Sequence, residues 1–271
     1  MPRLVLLSDL HGSHDDVRLP AGDILVVAGD VCNYGTIPEL GGFALWLARQ
    51  PFRHKVVVAG NHDWPFEREP SLAEATLRQG DPDRIVYLRD RAVTLMGLRF
   101  YGSPWQPAFG RWAFNLPRNG PELAERWAAI PPGLDVLVTH GPPAGVLDGW
   151  RPGYTNQPGY TNQPGCRALR DRLAALGPAR PRVHVFGHIH AGYGRVEHDG
   201  GAISLNVALL DDDYILSRAP VVVDLAPPPL DNPPDISQIS VHPRLAGGDV
   251  AAPERAHIPI PACPDPNPGL P

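Results

Sequence analysis

The sequence predicts an α/β layered sandwich, and three observations carry that reading. Nine short apolar runs, rich in Val, Leu and Ile, end in polar or Gly residues, as strands buried on both faces do. Helical patterns lie between several of these runs, and alternation of the two implies helices layered on sheets. The chain has 271 residues, 43% of them hydrophobic and 20% charged, which suffices for one large domain or two small ones with a substantial core.

In chain order, the strand-like runs are Leu4–Leu7, Ile24–Ala28, Lys55–Ala59, Ile85–Leu88, Leu98–Tyr101, Val136–Thr139, Val183–Phe186, Ile203–Val207 and Val221–Leu225. Helix is predicted over Leu40–Arg49, where Leu, Phe and Trp form a stripe. It is predicted again over Ser71–Gln79, where Ser71 and Glu74 have capping-box spacing. Pro121–Ala129 and Gly165–Leu176 complete the helices.

Bulk properties exclude several classes. The net charge is −5 with no long basic run, so a nucleic acid polymer is not an expected partner. Three widely spaced cysteines, Cys32, Cys166 and Cys263, make neither a disulfide framework nor a CxxC site, which favours a reducing, cytoplasmic location. No 18-residue apolar span exists, so no membrane helix is expected. The first residues, MPRLVLLSDLHG, read as a first strand and not a signal peptide.

Two segments break the rhythm. Gly153–Gly165 is a tandem copy, GYTNQPGYTNQPG, too short for a solenoid and read as a lengthened loop. From Ala226 the chain is rich in proline and can be neither helix nor inner strand. We expect one domain over residues 1–225, with 226–271 an extended, partly disordered tail.

Chemistry-bearing residues recur at the strand ends. The runs are followed in turn by Asp9 and His11, by Gly29 and Asp30, by Gly60, Asn61, His62 and Asp63, by His140, and by His188 and His190. The C-terminal edges of strands in α/β sheets are where ligands bind. Asp9, His11, Asp30, Asn61, His140, His188 and His190 offer carboxylate, carboxamide and imidazole without thiolate, a mixture suited to divalent ions such as Mn, Fe, Zn, Ni or Co. Seven ligands exceed the needs of one ion and fit two that share a bridging carboxylate. The one-residue spacing in Asp9-x-His11 and His188-x-His190 projects both side chains the same way if those stretches are extended. Singly, each residue reads more simply as a turn former or cap. It is the ordered set that argues for a site.

That set, DxH, GD, GNHD, HG and GHxH, resembles the calcineurin-like metallophosphoesterase superfamily. The resemblance implies a four-layer α/β/β/α sandwich and a binuclear centre with Mn²⁺ as the foremost ion. One metal would take Asp9, His11, Asp30 and His190. The other would take Asp30, Asn61, His140 and His188, with Asp30 bridging. A metal-bridging hydroxide is then the implied nucleophile. His62 is the implied transition-state stabiliser or acid, and Asp63 either orients it or caps the following helix. YGSPWQPAFGRWAFNLPR (Tyr101–Arg118), THGPP (Thr139–Pro143), HVFGHIHAGYG (His184–Gly194) and Asn206 are similar to the MPPED-type branch, whose members resemble cyclic-nucleotide phosphodiesterases.

The resemblance tilts toward small phosphodiesters, 2′,3′- or 3′,5′-cyclic nucleotides. Phosphoprotein phosphatases carry GDxVDRG, whose Arg grips a phosphate dianion, whereas this chain reads Asp30-Val-Cys-Asn33-Tyr34-Gly35. Trp105, Phe109, Trp112 and Phe114 are candidates for a stacking wall or for core. Arg111, Arg118 and Tyr193 are candidates for substrate contact. A phosphomonoesterase or nucleotidase, a nuclease of the same fold, and a non-catalytic metal-binding scaffold are the alternatives. The retention of every ligand position favours an enzyme.

Overall fold

The structure is a computed structural model and describes residues 1–149, 164–228 and 239–242. Most of the tandem repeat and most of the Pro-rich tail lie outside the described residues. The strands are β1 (Arg3–Leu7), β2 (Ile24–Ala28), β3 (His54–Val58), β4 (Ile85–Tyr87), β5 (Arg91–Leu95), β6 (Leu98–Ser103), β7 (Gln106–Pro107), β8 (Asn115–Leu116), β9 (Val136–Thr139), β10 (Val183–Phe186), β11 (Gly194–Glu197), β12 (Ile203–Asn206), β13 (Val221–Leu225) and β14 (Ile239–His242). The α-helices are α1 (Ile37–Arg49), α2 (Pro65–Arg68), α3 (Pro70–Arg78), α4 (Pro121–Ala128) and α5 (Arg167–Ala175).

Two six-stranded sheets form, in the orders β14-β13-β1-β2-β3-β4 and β11-β12-β10-β9-β6-β5. In the first, β1 through β4 run parallel, and β13 and β14 add antiparallel. In the second, β6, β9, β10 and β12 are parallel, with β5 and β11 as antiparallel edges.

Alternation along the strands divides the core, because successive side chains leave opposite faces of a sheet. Leu4, Leu6, Ile24, Val26, Val56 and Val58 pack with Phe100, Val136, Val138, Val183, Val185 and Leu205, which welds sheet to sheet. Their neighbours Val5, Leu7, Leu25, Val27 and Val57 cluster instead with Phe43, Leu47 and Leu77 of α1 and α3. On the second sheet, Leu137 clusters with Leu123 and Trp127 of α4 and Leu169 of α5. The result is a four-layer α/β/β/α sandwich. Each fully buried Leu or Phe contributes about 1.5–3 kcal/mol.

The strands absent from the sequence reading are edges. Residues 194–197 and 239–242 alternate between half-buried and exposed, and 91–95 are exposed apart from Val93 and Leu95, so none carries a continuous buried apolar run. Met96 and Gly97, both at positive φ (51° and 82°), form the two-residue turn that joins β5 to β6. The β14 pairing brings four residues of the Pro-rich segment onto the outer edge of the first sheet, where Pro-bearing chain is tolerated.

The helix starts need correction. Ser71 and Glu74 do not form a capping box. Helix α3 begins at Pro70, whose fixed φ suits the first helical position, and Glu74 pairs with Arg91 at 2.9 Å. The capping box lies at α1, where Thr36 and Glu39 bond reciprocally, so that helix begins three residues before Leu40. In α5 the cap is Cys166, whose Sγ accepts from the Leu169 N–H.

Candidate metal centre

Five strand ends deliver the site. Asp9 follows β1, Asp30 follows β2, Asn61 and His62 follow β3, His140 follows β9, and His188 and His190 follow β10. The Asp9-x-His11 stretch is not extended. Asp9, His11, Asp30 and His188 all have left-handed backbone, with φ of 55°, 43°, 54° and 68°. Such conformations cost non-Gly residues of order 1–3 kcal/mol each and cluster at functional sites. The first two loops hold each other in place. The N–H groups of Asp9, Leu10, His11 and Gly12 donate to the carbonyls of Gly29, Asp30, Asp30 and Val31 at 2.9–3.1 Å.

Glycine is needed where backbone meets ligand. A Cβ on Gly60 would lie 2.2 Å from Asp30 Oδ1, and one on Gly187 would lie 2.0 Å from Asp9 Oδ2.

The side chains form three overlapping groups whose ligand atoms lie within 4.8 Å of one another: Asp9, His11 and His190; His11, Asp30 and His62; and Asp9, Asp30 and His140. Asp30 lies in two of them. Its Oδ1 accepts the His62 N–H at 2.8 Å, while Oδ2 sits 3.3 Å from His140 Nε2 and 3.6 Å from His11 Nε2. His190 Nε2 is 3.3 Å from Asp9 Oδ1. Asn61 Oδ1 lies 2.9 Å from His140 Nε2. The His188 ring centre is 5.0 Å from that of His140, and the His188 backbone N–H donates to Asp9. Asn206 braces the GHxH loop by donating to the Ile189 carbonyl at 2.8 Å.

Three imidazoles are fixed in the same tautomer. Nδ1 of His140, His62 and His190 donates to the backbone carbonyls of Ala28, Asn33 and Asp211 at 2.9, 2.7 and 2.8 Å. Each therefore carries its lone pair on Nε2 when neutral, the arrangement by which histidine ligands are oriented. The cluster fits a cation on two observations. Both ring nitrogens of His11 are buried with no hydrogen-bond partner among the described residues. Around His140 Nε2, the Asn61 and Asp30 oxygens present only acceptors, a lining that suits a cation, whether a proton on His140 or a metal ion.

Electrostatics follow from burial and the two carboxylates. Burial opposes charge on Asp9 and Asp30, but the neighbouring histidines outweigh it and hold both below the usual carboxylate range. Burial likewise opposes charge on His140, yet Asp30 lifts it to about 9. Burial takes His188 down to about 3 and depresses His11 as well.

Asp63 does not touch the His62 ring. Its carboxylate accepts the N–H groups of Gly60, Cys32 and Val31 at 2.8, 2.9 and 3.3 Å, tying the β2 loop to the β3 loop. Burial, then the Asp30 charge, push its carboxyl up to about 7, against the pull of those N–H bonds.

The substrate candidates separate. Trp105 is buried, donates its indole N–H to Asp90 at 2.7 Å and lies under Arg126. It is a packing residue. The Tyr193 hydroxyl donates to the Ala219 carbonyl at 3.0 Å, and Arg118 donates to the Pro164 carbonyl at 3.1 Å. Arg111 is exposed on the turn before Trp112. Phe114 is fully buried, whereas Trp112 stacks on His62 at 4.2 Å and Phe109 lies 5.0 Å from His188. Sequence reasoning missed Tyr214, whose ring is 4.8 Å from His11 and 5.2 Å from His190. Its only signal was the acidic turn before it: Asp211 Oδ1 accepts the N–H groups of Asp213 and Ile215, both at 3.0 Å.

Fold and site together define a phosphoester hydrolase of the metal-dependent kind. A family model, calcineurin-like phosphoesterase, matches residues 2–192, and the chain belongs to that family. It is 39% identical over 246 residues to human metallophosphoesterase domain-containing protein 1, covering 83% of this chain and 72% of that one. It is 34% identical over 248 residues to the Caenorhabditis elegans UPF0046 protein T07D4.2, covering 82% of this chain and 60% of that one. Among solved structures, TT1561 of Thermus thermophilus shares the fold with a TM-score of 0.51 at 14% identity, over 76% of this chain and 88% of that one. Among the described residues no helix is long and apolar enough to cross a membrane.

Proposed function

We propose that the protein is a two-metal phosphodiesterase acting on small phosphodiesters, cyclic nucleotides foremost. The observation that carries this reading is the common tautomer of His140 and His190, which turns their Nε2 atoms to 3.3 Å from Asp30 and Asp9 beside a His11 with no hydrogen-bond partner among the described residues. Asp9, His11, Asp30 and His190 would hold one divalent ion, and Asp30, Asn61, His140 and His188 the other, with Mn²⁺ the first to test. When bound, the pair would polarise the phosphate and supply an activated water.

The protein's own residues do the rest. Asp30 divides its oxygens between the His62 N–H and the gap shared by His140 and His11, which suits a bridging carboxylate. His62 keeps Nδ1–H on the Asn33 carbonyl, so Nε2 is the atom that holds a proton and gives it to the departing oxygen. Trp112 fixes the plane of that ring by stacking. Diesters are favoured because Tyr34 stands where phosphoprotein phosphatases carry the dianion-binding Arg, and Asn33 where they carry the Asp before it. Phe109, Trp112 and Tyr214 supply flat apolar surface beside the histidines.

The test is Mn²⁺-dependent turnover of 2′,3′-cAMP, 3′,5′-cAMP, bis-p-nitrophenyl phosphate and p-nitrophenyl phosphate, with Asp30→Ala as blank. Diester hydrolysis that the blank abolishes supports the reading. Turnover dominated by the monoester, or none at all with metal bound, overturns it.

A further inference from the structure

Outside every metal motif, one carboxylate is wired to His62. Glu39 lies in the first turn of α1, where it also forms a capping box with Thr36. Its Oε1 accepts the N–H groups of Asn33 at 3.2 Å and Tyr34 at 3.0 Å. Its Oε2 accepts the Tyr34 N–H at 3.1 Å, the Thr36 N–H at 3.0 Å and the Thr36 hydroxyl at 3.1 Å. One side chain thus gathers the backbone of residues 33–36 onto the helix start. An ordinary capping box needs only the bonds with Thr36, so the contacts to Asn33 and Tyr34 are additional.

Asn33, held by that bond, turns its carbonyl to His62 Nδ1 at 2.7 Å. The neighbouring carboxylate, Asp63, is committed to the N–H groups of Gly60, Val31 and Cys32. The loop is also closely fitted from the other side: a Cβ on Gly35, at φ 73°, would lie 2.4 Å from the His62 carbonyl oxygen.

We propose that Glu39 is a positioning residue which, through the Asn33 carbonyl, fixes the tautomer and ring orientation of His62. The proposal rests on the role given to His62 above. A cap that only stabilises α1 would not move the imidazole.

The experiment is a double-mutant cycle on the full chain with Mn²⁺ and 2′,3′-cAMP, joined to ¹⁵N NMR of the His62 ring. Glu39→Ala should lower kcat about 10-fold with KM little changed. Glu39→Gln, which keeps one accepting oxygen, should recover part of the loss. In a His62→Ala background, Glu39→Ala should cost no further turnover. The ring should show the Nδ1–H tautomer in the parent chain and a mixture in Glu39→Ala. Thr36→Ala weakens the same cap by about 1 kcal/mol while leaving Asn33 and Tyr34 on Glu39, and should not change kcat. Equal losses from Glu39→Ala in both backgrounds, or an unchanged tautomer, overturn the proposal. Absence of turnover by the parent chain would refute the phosphodiesterase reading instead, and the NMR arm would still decide the positioning role.

Discussion

Adding one methyl group at Gly60 should dismantle the site while leaving the fold standing. The Cβ of Gly60→Ala would be 2.2 Å from Asp30 Oδ1, 2.4 Å from Asp30 N and 2.7 Å from His140 Cε1. Carbon and oxygen rest comfortably only beyond roughly 3.4 Å, so the carboxylate must retreat by about 1 Å. It cannot pivot freely, because Oδ1 also takes the His62 N–H at 2.8 Å and the Asp30 backbone is already left-handed. Overpacking of this kind costs about 1–3 kcal/mol of stability. A misplacement of about 1 Å costs catalysis about 10²-fold. The control is Gly41→Ala on α1, whose built Cβ meets nothing closer than 4.0 Å among the described residues. It should stabilise by about 0.5–1 kcal/mol, as alanine does inside a helix. Mn²⁺ calorimetry, thermal unfolding and diester turnover read out both variants. Parent-like metal affinity and turnover in Gly60→Ala would refute the placement of Asp30 at the shared position.

Three further outcomes follow from the geometry. Asp63→Asn leaves one accepting oxygen where the carboxylate offers two to Gly60, Cys32 and Val31, so metal-free stability in urea should drop by about 1–3 kcal/mol, and an unmoved midpoint would contradict the tie between those loops. His184 is buried, donates Nε2–H to Thr139 Oγ1, and is held at about 3 by burial and then by Arg180. The unfolded chain takes that proton first, so His184 contributes fully above about pH 6.5 and less as pH falls toward 3, with a slope of up to about 1.4 kcal/mol per pH unit. His184→Gln should flatten the pH dependence of the urea midpoint in that window, and an identical slope would exclude the effect. Mn²⁺ at a hundredfold excess over Kd should stabilise the chain by about 2.7 kcal/mol, a rise of about 5–10 °C in Tm. The same rise in Asp30→Ala would place the ions elsewhere.

The interior of this fold was legible because its strands are buried on both faces. Val26 and Val27 point to different cores, yet both are apolar, so the run stands out without any knowledge of its partners. Edge strands carry half that signal, and β5, β11 and β14 were silent for that reason. Helix starts were ambiguous where two sequences shared one spacing. Ser71 and Glu74 fit the capping pattern as well as Thr36 and Glu39, and only Pro70 decided where the chain turned helical. The chemistry-bearing residues were readable as an ordered set of strand ends. What surrounds them was not. Tyr214 lies in a loop after β12, and its approach to His11 depends on how Asp211 folds that loop. Trp105 and Trp112 are equally aromatic in sequence, and only the fold assigns one to Asp90 and the other to His62.

The common histidine tautomer links the site to the packing of the two sheets. His140 follows β9 of the second sheet, but the carbonyl that takes its Nδ1–H belongs to Ala28, the last residue of β2 in the first. His188 follows β10 of the second sheet and gives its N–H to Asp9, which follows β1 of the first. Between these crossings, Ser8 bridges to Ala208, and Val207 accepts from Ser8 while donating to Phe186. Each such hydrogen bond contributes only about 0.5–1.5 kcal/mol net, too little to align two sheets alone. Alignment comes from the apolar layer between them, where Leu6, Val26 and Val58 meet Val138 and Val185. The His140 bond then converts that alignment into ring orientation. The site is therefore a readout of inter-sheet packing, and at Gly29, Gly60 and Gly187 an added Cβ would lie 2.4 Å or less from His140, Asp30 and Asp9 respectively.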